Sequence, residues 1–133
     1  VAADTICVVD GRRLGKPASA DEAAAMIKAM AGRRHEVITG VALVALPGHS
    51  RRIFHDRSEV IIGEISDAHL REHLEQDGWR GRAGGYNFAE ARDRGWPISC
   101  QGDPSTVMGL PLRLLQPMLS AAPRRNFDAG RSA

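Results

Sequence analysis

The sequence predicts an α/β fold with a mixed, elongated β-sheet flanked by helices. Two long apolar runs, at residues 1–9 and 37–46, have the composition of sheet strands, and a helix-start signal at Ser19 opens an alanine-rich segment between them. Strands that alternate with helices are typical of this class. At 133 residues the chain is long enough for one domain with its own core, which we assign to residues 1–120.

The first apolar run contains a carboxylate, which is costly inside a sheet. Apolar residues on both sides of Asp4 and Thr5 predict a strand that is buried on both faces. An ionised carboxylate in such surroundings must be paired, hydrogen-bonded or bound to a metal, or its pKa rises. Asp4 is therefore either a satisfied structural group or a group kept for chemistry, and burial cost alone favours the structural alternative.

A lysine follows this strand at a short distance. An Asp-Gly turn is predicted after the strand, and Lys16 then lies in a Gly-Lys-Pro loop. Among the eighteen Lys and Arg residues only Lys16 and Lys28 are lysines. A compact ammonium suits contact with phosphate oxygens in a narrow space, whereas the alternative is a solvated loop lysine. Asp4 and Lys16 are predicted to face one cleft.

The middle of the chain is predicted to form a helix and a β-hairpin. Ser19 and Glu22 make a capping box that starts the helix, and Gly32 ends it. The apolar run at 37–46 is a second central strand, and a Pro-Gly turn leads from it into a return strand at 52–62.

The last third of the chain combines short elements with a glycine-rich stretch. A helix begins at Ser66 and is followed by residues 81–88, whose glycines are predicted to bring backbone amides close to a ligand or, alternatively, to form a tight turn. A strand at 98–101 and a helix at 111–119 complete the domain. Residues 121–133 are predicted to be a disordered tail.

Composition excludes several classes of partner. The formal net charge is +2 and the acidic residues are spread among the basic ones, which does not indicate binding to long nucleic acid. No apolar run reaches the roughly 18 residues of a membrane span, and no signal-peptide or lipidation pattern is found, so we expect a soluble cytoplasmic protein without a membrane partner. Cys7 and Cys100 are expected to be free thiols.

Other chemically reactive side chains are assigned structural roles. His69 and His73 lie four residues apart, the spacing of a helical metal site, but without a third ligand motif they are predicted to be a solvent-facing pair. Cys100 has no neighbouring base to activate it. Trp79 and Trp96 are expected in the core or at an interface.

Six short motifs follow one another between Val1 and about Leu119. They are Ala3-Asp4-Thr5, Gly15-Lys16-Pro17, the capped alanine-rich helix, Gly32 with His35-Glu36-Val37-Ile38-Thr39-Gly40-Val41, Arg82-Ala83-Gly84-Gly85-Tyr86, and Val107-Met108-Gly109-Leu110-Pro111-Leu112. In order and spacing these motifs resemble the Maf-like nucleoside triphosphate pyrophosphatases.

The resemblance implies a fold of the inosine triphosphate pyrophosphatase type, a cytoplasmic homodimer, and hydrolysis between the α and β phosphates that depends on a divalent metal, Mg or Mn. Asp4 falls on the proposed proton acceptor and metal ligand, and Lys16 on the lysine that holds the phosphates. Thr5 falls at a position linked to substrate preference. Further substrate-binding positions are Thr39, Gly84, Gly85 and Ala89.

The chain departs from the family at two places. The family's Ser-Pro-Arg-Arg phosphate-binding loop would precede Val1, so we expect an N-terminally truncated domain. A glutamine associated with base selection is replaced by Ala89, which leaves the preferred base open. The competing hypothesis is a relic that binds a nucleotide or a partner without turnover.

Overall fold

The computed structural model of the chain describes residues 1–48 and 50–121. The strands in these ranges are β1 (Ala2–Val9), β2 (Arg12–Leu14), β3 (Arg33–Ala45), β4 (Ser50–Ile62) and β5 (Ile98–Gln101). The helices are α1 (Ala20–Met30), α2 (Asp67–Glu75), α3 (Phe88–Asp93), α4 (Pro104–Val107) and α5 (Leu112–Ala121), and a short 3-10 turn spans Ala83–Gly85. None of these helices is long and apolar enough to cross a membrane.

The strands form one sheet in the order β2-β1-β3-β4-β5. All four of these strand pairings are antiparallel. The α/β class is therefore confirmed, but the expected mixed sheet is wrong for the strands that the structure describes. The reason is β2, a three-residue strand that the sequence pattern did not indicate. It reverses the chain before α1, so that β3 returns antiparallel to β1 rather than parallel to it.

The first strand is buried only at its end. Cys7 and Val9 are 2% and 4% exposed, whereas Ala2, Ala3 and Asp4 are exposed. The prediction of a strand buried on both faces is therefore wrong. β2 pairs only with the last three residues of β1, so the beginning of the strand has no sheet neighbour on that side among the residues described. This exposed beginning of β1 forms one wall of the cleft described below.

The core lies on one face of the long β3 and β4 strands. Val37, Val41, Val60 and Ile62 are each at most 2% exposed. From α1, Ile27 joins Val37, Val60 and Ile62 in one hydrophobic cluster. Burying one such aliphatic side chain contributes about 1.5–3 kcal/mol. The opposite face carries cross-strand ion pairs, Arg34 with Glu59 and Arg57 with Glu36.

Helix-start signals were predicted well where the capping residue was clear. Ser19 and Ser66 each accept a hydrogen bond from the backbone amide three residues later, so both predicted caps are confirmed. The predicted hairpin of β3 with β4 and the strand at Ile98–Gln101 are also confirmed. Residues 122–133 of the predicted tail lie outside the described ranges, and Ala121 ends α5.

Candidate functional site

A cleft of about 220 Å³ opens beside the exposed beginning of β1. The loop after β2, the glycine-rich stretch before α3 and the turn after α4 form its other walls. The lining residues are Ala3, Asp4, Thr5, Cys7, Lys16, Val37, Gly81, Arg82, Ala83, Tyr86, Asn87, Val107, Met108 and Gly109.

Asp4 and Lys16 line this same cleft. Asp4 is exposed, so the expectation of a carboxylate embedded in apolar surroundings is wrong. Its Oδ1 accepts a hydrogen bond of 3.0 Å from the amide of Thr5. The Lys16 side chain is exposed as well. The structure thus brings together the two residues that the sequence singled out, at a surface that a ligand can reach.

The two predicted threonines occupy different layers. Thr5 is half-buried and lines the cleft, whereas Thr39 is 0% exposed and lies beneath it. Their hydroxyl oxygens are 2.8 Å apart, and the Thr39 hydroxyl also donates to the carbonyl of Thr106 at 2.7 Å. Thr39 is not among the residues that line the cleft and contacts it only through the Thr5 hydroxyl, so direct contact of Thr39 with substrate stays a prediction that this geometry does not support.

The structure does not bring the Gly84 and Gly85 amides to the cleft. The Gly84 amide donates to the carbonyl of Gly15, and the Gly85 amide donates to the carbonyl of Arg82, each at 3.0 Å. Both glycines are buried and have positive φ. A Cβ on Gly84 would lie 2.9 Å from the Cys7 sulfur. Close packing and backbone conformation require these glycines, which the tight-turn alternative had anticipated.

Ala89 also lies outside the set of cleft residues. It is in the first turn of α3, two positions beyond Asn87. The Asn87 side chain caps α3 by accepting a hydrogen bond from the Glu90 amide, and Asn87 lines the cleft. The residue of this segment that faces the cleft is therefore the helix cap rather than the position that the resemblance indicated.

Arg82 is a second cation of the cleft that sequence reasoning did not assign. Its guanidinium makes two hydrogen bonds to the Glu90 carboxylate, of 2.6 and 2.9 Å. These bonds raise the pKa of Arg82 and lower the pKa of Glu90. The two residues are eight apart in sequence and belong to different elements, so no helical or strand spacing could have indicated the pair.

Three buried groups at the cleft are uncharged at neutral pH, namely Cys7 and Tyr86, which line it, and His35, which contacts Tyr86. Burial raises the pKa of the Cys7 thiol to about 12, and burial also raises the pKa of Tyr86 well above its ordinary value. Nε2 of His35 lies 2.7 Å from the Tyr86 hydroxyl, and burial lowers the His35 pKa to about 4. Cys7 is therefore a poor nucleophile, although it lines the cleft.

The predicted solvent-facing histidine pair on α2 is wrong for one member. His73 is 4% exposed and its Nε2 contacts the Gly85 carbonyl at 2.7 Å. Burial lowers the pKa of His73. Within residues 1–48 and 50–121, no three His, Cys, Asp or Glu side chains are grouped in a way that could hold a metal. Trp79 and Trp96 are buried, as expected.

Comparison with known proteins places the chain in a family. The family model described as Maf-like protein matches residues 1–122. A dTTP/UTP pyrophosphatase of Pelotomaculum thermopropionicum is 33% identical over 119 residues, which are 90% of this chain and 62% of that protein. A nucleoside triphosphate pyrophosphatase of Xylella fastidiosa is 38% identical over 118 residues, covering 89% of this chain and 61% of that protein.

A third relative gives the same picture. The dTTP/UTP pyrophosphatase of Symbiobacterium thermophilum is 38% identical over 118 residues, which are 89% of this chain and 59% of that protein. The chain thus spans about three fifths of the length of these relatives. The match to the family model covers nearly all of the chain and every wall of the cleft. The chain belongs to the Maf-like protein family.

Proposed function

We propose that the chain is a nucleoside triphosphate pyrophosphatase domain that acts on non-canonical or surplus nucleotides. It would hydrolyse the bond between the α and β phosphates and release a nucleoside monophosphate and pyrophosphate. The observation that carries the proposal is that Asp4 and Lys16 line one accessible cleft. The names of the relatives, which are nucleoside triphosphate or dTTP/UTP pyrophosphatases, support the same reaction.

The cations of the cleft suit a triphosphate. Lys16 supplies a mobile ammonium, and Arg82 supplies a planar guanidinium that Glu90 already holds in place. Two cations on different walls can contact different phosphate groups and offset the charge that builds up on the leaving pyrophosphate. Because Arg82 is fixed before the ligand arrives, little ordering of that side chain is needed on binding.

Asp4 is the group that can accept a proton from the attacking water. Within residues 1–48 and 50–121 it is the one acidic residue that lines the cleft, and its carboxylate is open to solvent. Water adds to a phosphorus atom of the phosphoanhydride, the bond from that phosphorus to the bridging oxygen breaks, and the water proton passes to the carboxylate. The Thr5 amide that binds Oδ1 orients the carboxylate for this step.

The cleft fits a divalent cation held loosely. Oδ2 of Asp4 makes no hydrogen bond to the described part of the chain, so one carboxylate oxygen is free to act as a ligand. Mg²⁺ keeps several waters and is often held by one or two carboxylates together with substrate phosphates, and Mn²⁺ accepts similar oxygen ligands. When bound, the ion would spread the phosphate charge.

The remaining parts of the proposal rest on the family resemblance. They are action in the cytoplasm and assembly as a homodimer. The nearly balanced charge supports a small-molecule substrate rather than long nucleic acid. The competing function is nucleotide binding without turnover. It is supported by Asp4 being the one acid among the lining residues that the structure describes, because a metal ion held by a single carboxylate is bound only loosely.

The test is a panel of nucleoside triphosphates incubated with the chain and Mg²⁺ or Mn²⁺, with release of pyrophosphate and monophosphate as the readout. Asp4→Asn should abolish turnover while nucleotide binding persists. Asp10→Asn is the matched control, because Asp10 is exposed, pairs with Arg33 outside the cleft and has a positive φ that asparagine tolerates.

Turnover that survives Asp4→Asn would refute the role of that carboxylate. Binding of nucleotides by the unmodified chain without release of pyrophosphate would favour the competing function. Equal losses in Asp4→Asn and Asp10→Asn would point to a general effect of removing a surface charge rather than to catalysis.

A further inference from the structure

A series of hydrogen-bonded threonine hydroxyl groups runs from the cleft into the core. The Thr5 and Thr39 hydroxyl oxygens are 2.8 Å apart, and the Thr39 hydroxyl lies 2.7 Å from the carbonyl oxygen of Thr106. The Thr106 hydroxyl in turn donates to Oδ2 of Asp56 at 2.6 Å. Thr39 and Thr106 are both 0% exposed, so water does not compete for these bonds.

Each threonine hydroxyl in this series has a single proton, and this determines which group donates in each hydrogen bond. A carbonyl oxygen can only accept, so Thr39 must donate its single hydroxyl proton to Thr106. Thr39 then has no proton left for Thr5. The Thr5 hydroxyl is therefore the donor in the bond between the two threonines. With its own proton committed to Thr39, Thr5 Oγ1 offers only lone pairs to the cleft.

We propose that Thr39 is a positioning residue that makes the Thr5 hydroxyl a hydrogen-bond acceptor for the bound nucleotide. Thr39 does not line the cleft and acts through Thr5. The Asp56 carboxylate fixes Thr106 on α4, and Thr106 fixes the proton of Thr39. Residues beneath the cleft surface therefore determine that the Thr5 hydroxyl accepts, rather than donates, a hydrogen bond from the ligand.

The ligand group that suits this acceptor is an N–H or O–H donor of the nucleoside. Gly109 adjoins Thr5 and has no side chain, so the space that a Cβ would fill, 3.6 Å from Thr5 Oγ1, is open to a ligand group. A uracil or thymine ring offers the N3–H donor, whereas cytosine has an acceptor at the same atom. A sugar hydroxyl offers the same chemistry. The proposal rests on the proposed function in taking the ligand to be a nucleoside triphosphate.

The experiment measures, by calorimetry with Mg²⁺ present, the dissociation constants of the chain for UTP, CTP and 2′-deoxy-UTP that carry a non-hydrolysable methylene bridge between the α and β phosphates, so that turnover contributes no heat. If the base supplies the donor, UTP should bind about tenfold more tightly than CTP, and if the ribose 2′-hydroxyl does, about tenfold more tightly than 2′-deoxy-UTP. This preference is the ratio of the dissociation constant of the weaker nucleotide to that of UTP. Thr39→Val should reduce that ratio at least threefold, because the Thr5 proton is then free to turn toward the ligand. Thr39→Ser keeps the hydroxyl and should keep the ratio.

Thr5→Val provides a second test should Thr39→Val fail to fold, because Thr5 is only half-buried. It removes the acceptor itself, so the ratio should fall to about one. An unchanged ratio in both valine variants, or equal affinity of the unmodified chain for all three nucleotides, would overturn the proposal.

Failure of the inference is distinguishable from failure of the proposed function. A chain that prefers the donor ligand and loses the preference in Thr39→Val, yet releases no pyrophosphate, upholds the inference and refutes hydrolysis. If the chain releases pyrophosphate but Thr39→Val does not change the ratio of the dissociation constants, hydrolysis is upheld and the inference about Thr39 is refuted. If none of the three nucleotides binds, both are refuted.

Discussion

Arg82 and Glu90 form a two-point ion pair at the cleft, with nitrogen to oxygen distances of 2.6 and 2.9 Å. Both side chains are partly exposed, at 33% and 45%. The pair therefore matters less for stability than for holding the guanidinium in one orientation. A guanidinium held at two points can contact phosphate oxygens with its remaining N–H groups, which is the basis of the first prediction.

Replacing Arg82 by lysine should weaken nucleotide binding about tenfold, although the formal charge of the cleft is unchanged. A lysine ammonium is a point charge and cannot bond Glu90 and a phosphate through a rigid fork. The dissociation constant for a nucleoside triphosphate with a non-hydrolysable methylene bridge between the α and β phosphates, measured by calorimetry, checks this. Arg80→Lys is the control, since Arg80 is exposed and pairs with Asp77 outside the cleft. Equal affinities of Arg82→Lys and the unmodified chain would contradict the prediction.

Replacing Gly84 by alanine should destabilise the fold by about 3 kcal/mol, as measured by urea unfolding. The new Cβ would lie 2.9 Å from the Cys7 sulfur and 3.2 Å from Cε of Met30. Overpacking of this kind costs about 1–3 kcal/mol, and a left-handed backbone conformation costs a side chain about 1–2 kcal/mol more.

Gly81→Ala separates the two contributions to this cost. Gly81 has a φ of +70°, close to the +69° of Gly84, but a Cβ there would have no neighbour within 4 Å. Gly81→Ala should therefore lose only the unfolding free energy that the left-handed backbone conformation costs a side chain. If both variants lose the same stability, crowding against Cys7 contributes nothing and the packing argument for Gly84 is wrong.

The sequence was most informative where a signal was local. The Ser19 hydroxyl accepts from the Glu22 amide as the capping box predicts, because the bond spans only three residues. Asp10 and Gly11 form the predicted turn with positive φ. The helix α3 was missed although Asn87 caps it, because the glycines just before Asn87 suggested an irregular segment.

Burial could not be predicted in the same way, since it depends on what packs over a strand. Apolar residues on both sides of Asp4 suggested burial along the whole of β1, but β2 pairs only with the end of the strand, and Asp4 at its beginning is exposed. His73 looked like a surface residue from its charged neighbours, yet its side chain points to the Gly85 carbonyl. The cleft itself joins residues as distant as Asp4 and Gly109, which no local pattern relates.

Replacing Asp56 by alanine should destabilise the fold by about 1–3 kcal/mol, because the fully buried Thr106 hydroxyl then has no acceptor. Chemical denaturation measures the loss. Asp56→Asn keeps an acceptor oxygen and should recover most of it. Equal stability of Asp56→Ala and Asp56→Asn would mean that Thr106 does not need an acceptor oxygen at position 56.

The pH dependence of stability should be shaped by His35. Its pKa is about 4 in the folded protein, where burial keeps it neutral beside the uncharged Tyr86, and about 6.5 when unfolded. Between these values the unfolded chain binds the extra proton, so the stability contributed by the neutral histidine is complete above pH 6.5 and is lost as the pH falls through 4. The difference between the two pKa values corresponds to about 3 kcal/mol.

His35→Gln removes this titration, because glutamine stays neutral while its amide can still hydrogen-bond the Tyr86 hydroxyl. The loss of unfolding free energy between pH 7 and pH 4 should therefore be about 3 kcal/mol smaller in His35→Gln than in the unmodified chain. All other side chains are the same in the two proteins, so their contributions cancel in the comparison. His55→Gln, at an exposed position on β4, should leave the loss unchanged. If the unfolding free energy falls equally in all three proteins between pH 7 and pH 4, the folded protein accepts the His35 proton as readily as the unfolded chain does. Burial would then not hold His35 neutral.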